Sequence, residues 1–215
     1  DPKLDAIWMA EVREESTHIA SSKQRTALFL SAMRHFAQTL KAQGKHVVYS
    51  ELDDPANTGT LAGELTRAIE ALQPQALLMT VPGDWRVLQS LRAAAIATNR
   101  TLEVRDDTHF FSTVRDFAAH AKGRKQLRLE YFYRELRKKN GILMAGKDPV
   151  GGQWNFDADN RGSFGKTGPS DVPPPKRFAP DAITQSVIDL VNTQLPDNPG
   201  HLDSFGWPVT RAQGL

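Results

Sequence analysis

The sequence contains no cysteine, which excludes disulfides, thiolate nucleophiles, iron–sulfur ligation and Cys-type zinc sites from its residues. Long apolar runs are missing too: none approaches the ~18–20 residues that a membrane-spanning helix requires. The opening Asp1-Pro2-Lys3-Leu4-Asp5 lacks the charged-then-apolar order of a secretion signal, so a cytoplasmic location is expected. Charge of one sign is scarce. Against 25 Asp and Glu stand 27 Lys and Arg, a formal +2 at pH 7, too little to imply a polyanionic partner unless cations concentrate locally. No GxGxxG follows an apolar run, and Gly162-Ser163-Phe164-Gly165-Lys166-Thr167 lacks the first glycine of a P-loop. The six His show no HxxxH or HExxH spacing, and no GxSxG elbow occurs. Nucleoside-triphosphate, zinc-peptidase and serine-hydrolase chemistry thus have no support. What is present is ordinary: 215 residues, 40% apolar and 24% charged, enough for one domain with an appendage or two small ones.

Residues 6 to 105 alternate short apolar runs with amphipathic segments. Ala6 to Val12 predicts a strand, and the following helix carries Phe29, Met33, Phe36, Ala37 and Leu40 at helical spacing, ending at Gly44. A strand from His46 to Leu52 leads through a turn-rich segment to a helix with Leu61, Leu65, Ala68, Ile69 and Leu72 on one stripe. Ala76 to Val81 is almost uninterruptedly apolar, as in a parallel strand covered on both faces. Asp84 is placed to cap a helix bearing Val87, Leu88, Leu91, Ala94 and Ala95, and Thr101 to Arg105 forms a fourth strand. This rhythm predicts an α/β fold with a doubly wound, Rossmann-like parallel sheet. Composition then shifts. A helix from Ser112 to His120 and a basic one from Arg124 to Lys139 precede a Gly- and Pro-rich stretch, 141 to 180, that reads as a linker or functional loop. Pro180-Asp181 opens a last amphipathic helix with Ile183, Val187, Ile188, Val191 and Leu195 in step.

Two segments carry possible chemistry. The acidic run Glu11-Val12-Arg13-Glu14-Glu15 sits at the carboxyl end of the first strand, where open α/β sheets bind ligands. Its carboxylates could accept hydrogen bonds from a polar heterocycle, or simply face water in a strand-to-helix loop. Between Lys122 and Lys139 stand eight cations against two acids, interleaved with Tyr131, Phe132 and Tyr133. That mixture suits phosphates and unstacked bases, and it equally suits a solvated helix face.

The runs Ala10 to Glu15, Leu30 to Ala37, Pro82 to Val87, Gly123 to Leu127, Glu130 to Glu135, Gly151 to Asp157 and Asn160-Arg161 are collinear with, and closely resemble, the bacterial photolyase-related proteins. These are the iron–sulfur branch of the cryptochrome/photolyase family, which includes prokaryotic (6-4) photolyases. The resemblance implies an N-terminal α/β antenna domain over residues 1–121, without the family's first strand. It further implies a basic helix and interdomain loop over 122–180, and over 181–215 the start of a helical flavin domain that continues beyond Leu215. It implies a monomeric, light-dependent DNA-repair protein acting on UV-damaged DNA, with FAD and a 4Fe-4S cluster in the further domain. A cryptochrome-type photoreceptor without repair activity and a stand-alone α/β binding module are the alternatives. Glu15, His18 and Phe29 match the family's antenna pocket for 6,7-dimethyl-8-ribityllumazine. Lys125 and Arg161 match its DNA-facing basic residues. Asp157 matches a carboxylate of the interdomain loop associated with Mg²⁺, an ion held largely through water.

Overall fold

The computed structural model describes residues 4–169 and 172–215, so Asp1, Pro2 and Lys3 of the opening segment lie outside the described residues. The architecture is mixed α/β. The first strands and helices are β1 (Ala6–Ala10), α1 (Glu14–Thr17), α2 (Lys23–Ala42), β2 (His46–Ser50) and α3 (Leu61–Leu72). Then come β3 (Ala76–Thr80), α4 (Trp85–Ala97), β4 (Thr101–Arg105), α5 (Val114–Ala121) and α6 (Leu129–Asn140). A short hairpin of β5 (Met144–Ala145) and β6 (Asp148–Pro149) precedes α7 (Ala182–Gln194) and α8 (Arg211–Gly214). The described residues up to 77, with 83–103 and 174–215, cluster into one compact unit, and 78–82 with the described residues from 104 to 173 into another.

Strands β1 and β2 pair in parallel, in register from Ala6 opposite His46 to Ala10 opposite Ser50. Strands β3 and β4 form a second pair, so the four strands stand as two pairs and not as one continuous sheet among the described residues. The expectation that β3 is covered on both faces is not met: Leu78 is 56% exposed and exposure alternates along the strand. The apolar run follows from β propensity alone, which does not require two covering layers.

In the first unit the core lies between α2, α7 and the segment that follows α7. Ala27 and Leu30 pack with Val187, Ile188, Leu190, Val191, Leu202, Phe205 and Val209. This corrects the face expected for α2 in part: Phe29 and Phe36 are 55% and 56% exposed, whereas Ala37 is buried and Met33 packs against the core as expected, and Ala27 and Leu30, outside the expected stripe, are buried in it. Neighbouring faces of a helix share one period, and the partner helix selects the one with small residues, which lets the backbones approach. Side chains cap the starts of four helices: Ser22, Thr60, Asp84 and Asp181 accept from backbone N–H groups of Arg25, Gly63, Arg86 and Thr184, the cap at Asp84 and the opening at Asp181 as expected. The start of α7 is also tied sideways, with His35 Nε2 2.7 Å from Asp181 Oδ2.

In the second unit α5 and α6 pack through Phe117 and Phe132, whose rings meet edge to face at 5.2 Å, with His120 beside them. Thr113 and Asp116 form a reciprocal capping box at the start of α5, and Lys139 reaches Asp116 at 3.2 Å. These donors, the Thr113 N–H first, hold the Asp116 carboxyl down at about 2. Helix α6 begins at Leu129 and not at Arg124. The earlier residues are drawn into side-chain bonds, with Arg124 donating to the His120 carbonyl at 2.6 Å and to Glu135 at 3.0 Å.

Candidate functional site

The acidic run at the end of β1 divides into two roles. Glu11 is 1% exposed and is surrounded by donors: Arg34 Nε at 2.7 Å, Arg34 Nη2 at 2.8 Å, Tyr49 Oη at 2.7 Å and the Leu52 N–H at 2.9 Å. A buried carboxylate needs this degree of satisfaction to remain charged. Glu11 raises the Arg34 guanidinium above its usual range, and burial followed by the Glu11 charge pushes the Tyr49 hydroxyl up. The cluster joins β1, α2 and the end of β2, and through them sets where α1 begins. The Asn57 amide adds to this by donating to the carbonyls of Glu11 and Glu51, both at 2.8 Å.

Glu14 and Glu15 point elsewhere. Arg86, in the first turn of α4, donates to Glu15 Oε1 at 2.7 Å and lies 3.5 Å from Glu14 and 3.6 Å from Asp84. The expected antenna carboxylate is therefore already half engaged by a cation that sequence reasoning did not single out. The signal was available, since Arg86 lies inside the Pro82 to Val87 run that carries the resemblance. What no local pattern shows is that α4 starts beside α1. His18 caps the end of α1 through its backbone and has an exposed side chain. Phe29 sits on the exposed side of α2 with the Arg25 guanidinium 5.5 Å above its ring. Glu15 and His18 thus share one short turn, whereas no hydrogen bond or ring contact joins Phe29 to either among the described residues.

The basic stretch is more coherent. Its two acids are both engaged locally, Glu130 with Arg134 and Glu135 with His120 and Arg124. Lys122, Lys125, Arg128, Arg137 and Lys138 have no acid partner among the described residues. Arg137 is buried and donates to the carbonyls of Ile142 and Leu143, so it braces the end of α6 from within. The loop that carries Asp157 and Arg161 is anchored to the same helix. The Trp154 ring lies 5.5 Å from Arg134, 5.2 Å from Arg137 and 5.2 Å from the Lys138 ammonium, close enough for cation–π attraction. Phe156 folds back over Gly151, where a Cβ would meet its ring at 2.8 Å and where φ is +83°. Asp157 and Arg161 are exposed, and the Asp157 N–H is held by Asn155 Oδ1 at 2.7 Å. Lys125 is exposed in the loop before α6. Among the described residues no group of three or more His, Asp and Glu is gathered as a metal site, and no helix is long and apolar enough to cross a membrane.

A strand–helix alternation, a braced carboxylate cluster at a strand end and a basic helix pinned by an aromatic ring together define a mixed α/β protein. Residues 1–207 match the sequence profile of the family described as deoxyribodipyrimidine photo-lyase-related protein, and the chain belongs to that family. Among curated proteins it is 45% identical over 213 residues to the (6-4) photolyase of Agrobacterium fabrum (strain C58 / ATCC 33970), covering 98% of this chain. The chain spans 41% of that relative's length.

Proposed function

We propose that this chain is the N-terminal part of a light-dependent DNA-repair flavoprotein of (6-4) photolyase type. The carrying observation is the basic face of the second unit, where Arg137 and Lys138, without acid partners among the described residues, stand beside Tyr133 and Trp154, in a chain 45% identical to a (6-4) photolyase. Phosphate contacts need such uncompensated cations, and half-exposed rings offer faces for unstacked bases. Lys125 and Arg161 are assigned to the backbone of UV-damaged DNA, and Asp157 to a water-mediated Mg²⁺ near those phosphates.

FAD and the 4Fe-4S cluster belong, in this reading, to the helical domain that 181–215 begins. The chain itself has no cysteine to ligate iron. Glu15, His18 and Phe29 are assigned to the antenna chromophore 6,7-dimethyl-8-ribityllumazine. The free Oε2 of Glu15 can accept from a polar heterocycle while Arg86 fixes the other oxygen. When bound, the antenna supplies light absorption, and the residues here orient it.

The deciding experiment is blue-light repair of an oligonucleotide containing a (6-4) lesion by the full-length protein. Turnover is expected. Bound, photoreducible flavin with no turnover would refute the repair assignment in favour of a signalling photoreceptor.

A further inference from the structure

The second unit contains an open pocket of about 370 Å³ lined by Lys138, Gly141, Met144, Gly146 and Lys147. It lies between the last turn of α6 and the β5–β6 hairpin, away from Lys125 and Arg161 in sequence. Its lining includes two ammonium groups and no acid. Lys147 has no acid partner among the described residues, and the neighbouring Asp148 is not among the residues that line the pocket. Lys138 is held over the Trp154 ring at 5.2 Å, a contact that positions the ammonium without cancelling its charge.

Gly141 and Gly146 have φ of +65° and +63°, and nothing lies within 4 Å of where either would carry a Cβ. A helix C-terminus ordinarily repels anions through its free carbonyls. Here the Arg137 carbonyl of the last turn accepts from the Gly141 and Ile142 N–H groups, and the Ile142 and Leu143 carbonyls beyond the helix accept from the Arg137 guanidinium. Met144 adds an apolar wall. The result is a shallow, cationic, partly apolar seat, the combination that a phosphate with its flanking sugars would fill. Lysines are point charges without the fork geometry of arginine, so the seat suits sequence-independent contact.

We propose that this pocket seats a phosphodiester of bound DNA, with Lys138 and Lys147 as its cations and Trp154 as the residue that positions Lys138. This rests on the DNA-repair reading above and extends the DNA-contacting face to the hairpin. The test is the salt dependence of affinity, measured by fluorescence anisotropy on the full-length protein with lesion-bearing and undamaged duplexes. Lys138→Gln and Lys147→Gln should each lower the log–log salt slope by about 0.9, and together by about twice that, on both duplexes. Lys138→Arg and Lys147→Arg, which keep the charge, should retain the slope and serve if a Gln variant fails to fold. Trp154→Leu should reproduce the Lys138→Gln slope and leave the Lys147 contribution intact. Unchanged slopes in both Gln variants, with lowered slopes in Lys125→Ala and Arg161→Ala, would overturn the seat and leave the DNA-repair reading standing. Unchanged slopes in all four would overturn both the seat and the assignment of Lys125 and Arg161 to the DNA backbone, while the DNA-repair reading itself stands or falls on blue-light turnover.

Discussion

Replacing Glu11 by Ala tests how the first unit is held at its candidate site. The Glu11 side chain is fully buried and accepts four hydrogen bonds, two of them from a guanidinium that is itself only 14% exposed. Removing the carboxylate leaves Arg34 with only the longer 3.6 Å contact to Glu51 among the described residues, and leaves the Tyr49 hydroxyl and the Leu52 N–H without this acceptor. Breaking a buried pair by deleting one partner costs about 3–5 kcal/mol, and the stranded neutral donors make the upper part of that range the expectation. Urea unfolding followed by far-UV circular dichroism should report that loss. Glu11→Gln should cost less, because its amide oxygen still accepts while its NH₂ opposes Arg34. A double-mutant cycle with Arg34→Met separates the pair from the rest, and the double variant should be less destabilised than the sum of the singles by at least 1.5–3 kcal/mol, an order-of-magnitude coupling for a close charge pair. The same cluster predicts that Tyr49 stays protonated well beyond the ordinary tyrosine range, so native absorbance at 295 nm should show its ionisation only on unfolding. A cost below about 1 kcal/mol for Glu11→Ala, the level of an ordinary exposed pair, would refute the assignment of this cluster as the brace beneath α1.

Four further outcomes are expected. Under the antenna assignment, Glu15→Ala should diminish lumazine absorbance in purified full-length protein, and a wild-type protein lacking a second chromophore would remove Glu15, His18 and Phe29 from the site. Lys125→Ala and Arg161→Ala should weaken DNA binding alike across sequences and lower the salt slope by about one each; unchanged slopes would make this a solvated helix face. Asp157→Asn should blunt any Mg²⁺ dependence of repair, whereas an identical metal titration would detach Asp157 from the ion. Asp181→Ala should destabilise by about 1 kcal/mol through the lost cap of α7. The Asp181 carboxyl is held at about 2, first by the Thr184 N–H and then by His35. Its contribution is therefore complete above the ordinary carboxylate range and is lost as pH falls from about 4 towards 2. Asp181→Asn should flatten the acid limb of a stability–pH profile, and an unaltered limb would exclude this contact as a source of acid lability.

Much of this molecule is legible in its residues. Periodicity alone marks β1 to β4 and the helices between them, because side-chain spacing and breakers such as Gly44 and Pro74 act locally. Of the stripe expected on α7, Val187, Ile188 and Val191 are buried, as is Leu195 at its end, while Ile183 in the first turn is only partly buried. The collinear family runs identify the family across nearly the whole chain, because they are long and rich in residues with few substitutes. Helix α6 was placed early by its charge pattern. A run of cations does not say where a backbone turns helical, and Arg124 spends its side chain on His120 and Glu135 instead.

What only the tertiary structure decides is which of several equivalent local options is used. Phe29 and Phe36 on α2 are as apolar as Leu30 and share its helical period with other positions, yet α7 and the segment after it bury Ala27 and Leu30 and take Met33 against them, leaving the two Phe exposed. Glu11, Glu14 and Glu15 are alike in sequence, yet one is enclosed by Arg34 and Tyr49 and the others meet Arg86. Trp154 lies some twenty residues beyond Arg134 and becomes its neighbour only when the loop folds back onto α6. The sequence by itself determined the local elements and the family, since those follow from spacing and identity along the chain. The partners of each charge and the face of each helix depend on contacts between distant segments, and no local pattern carries that information.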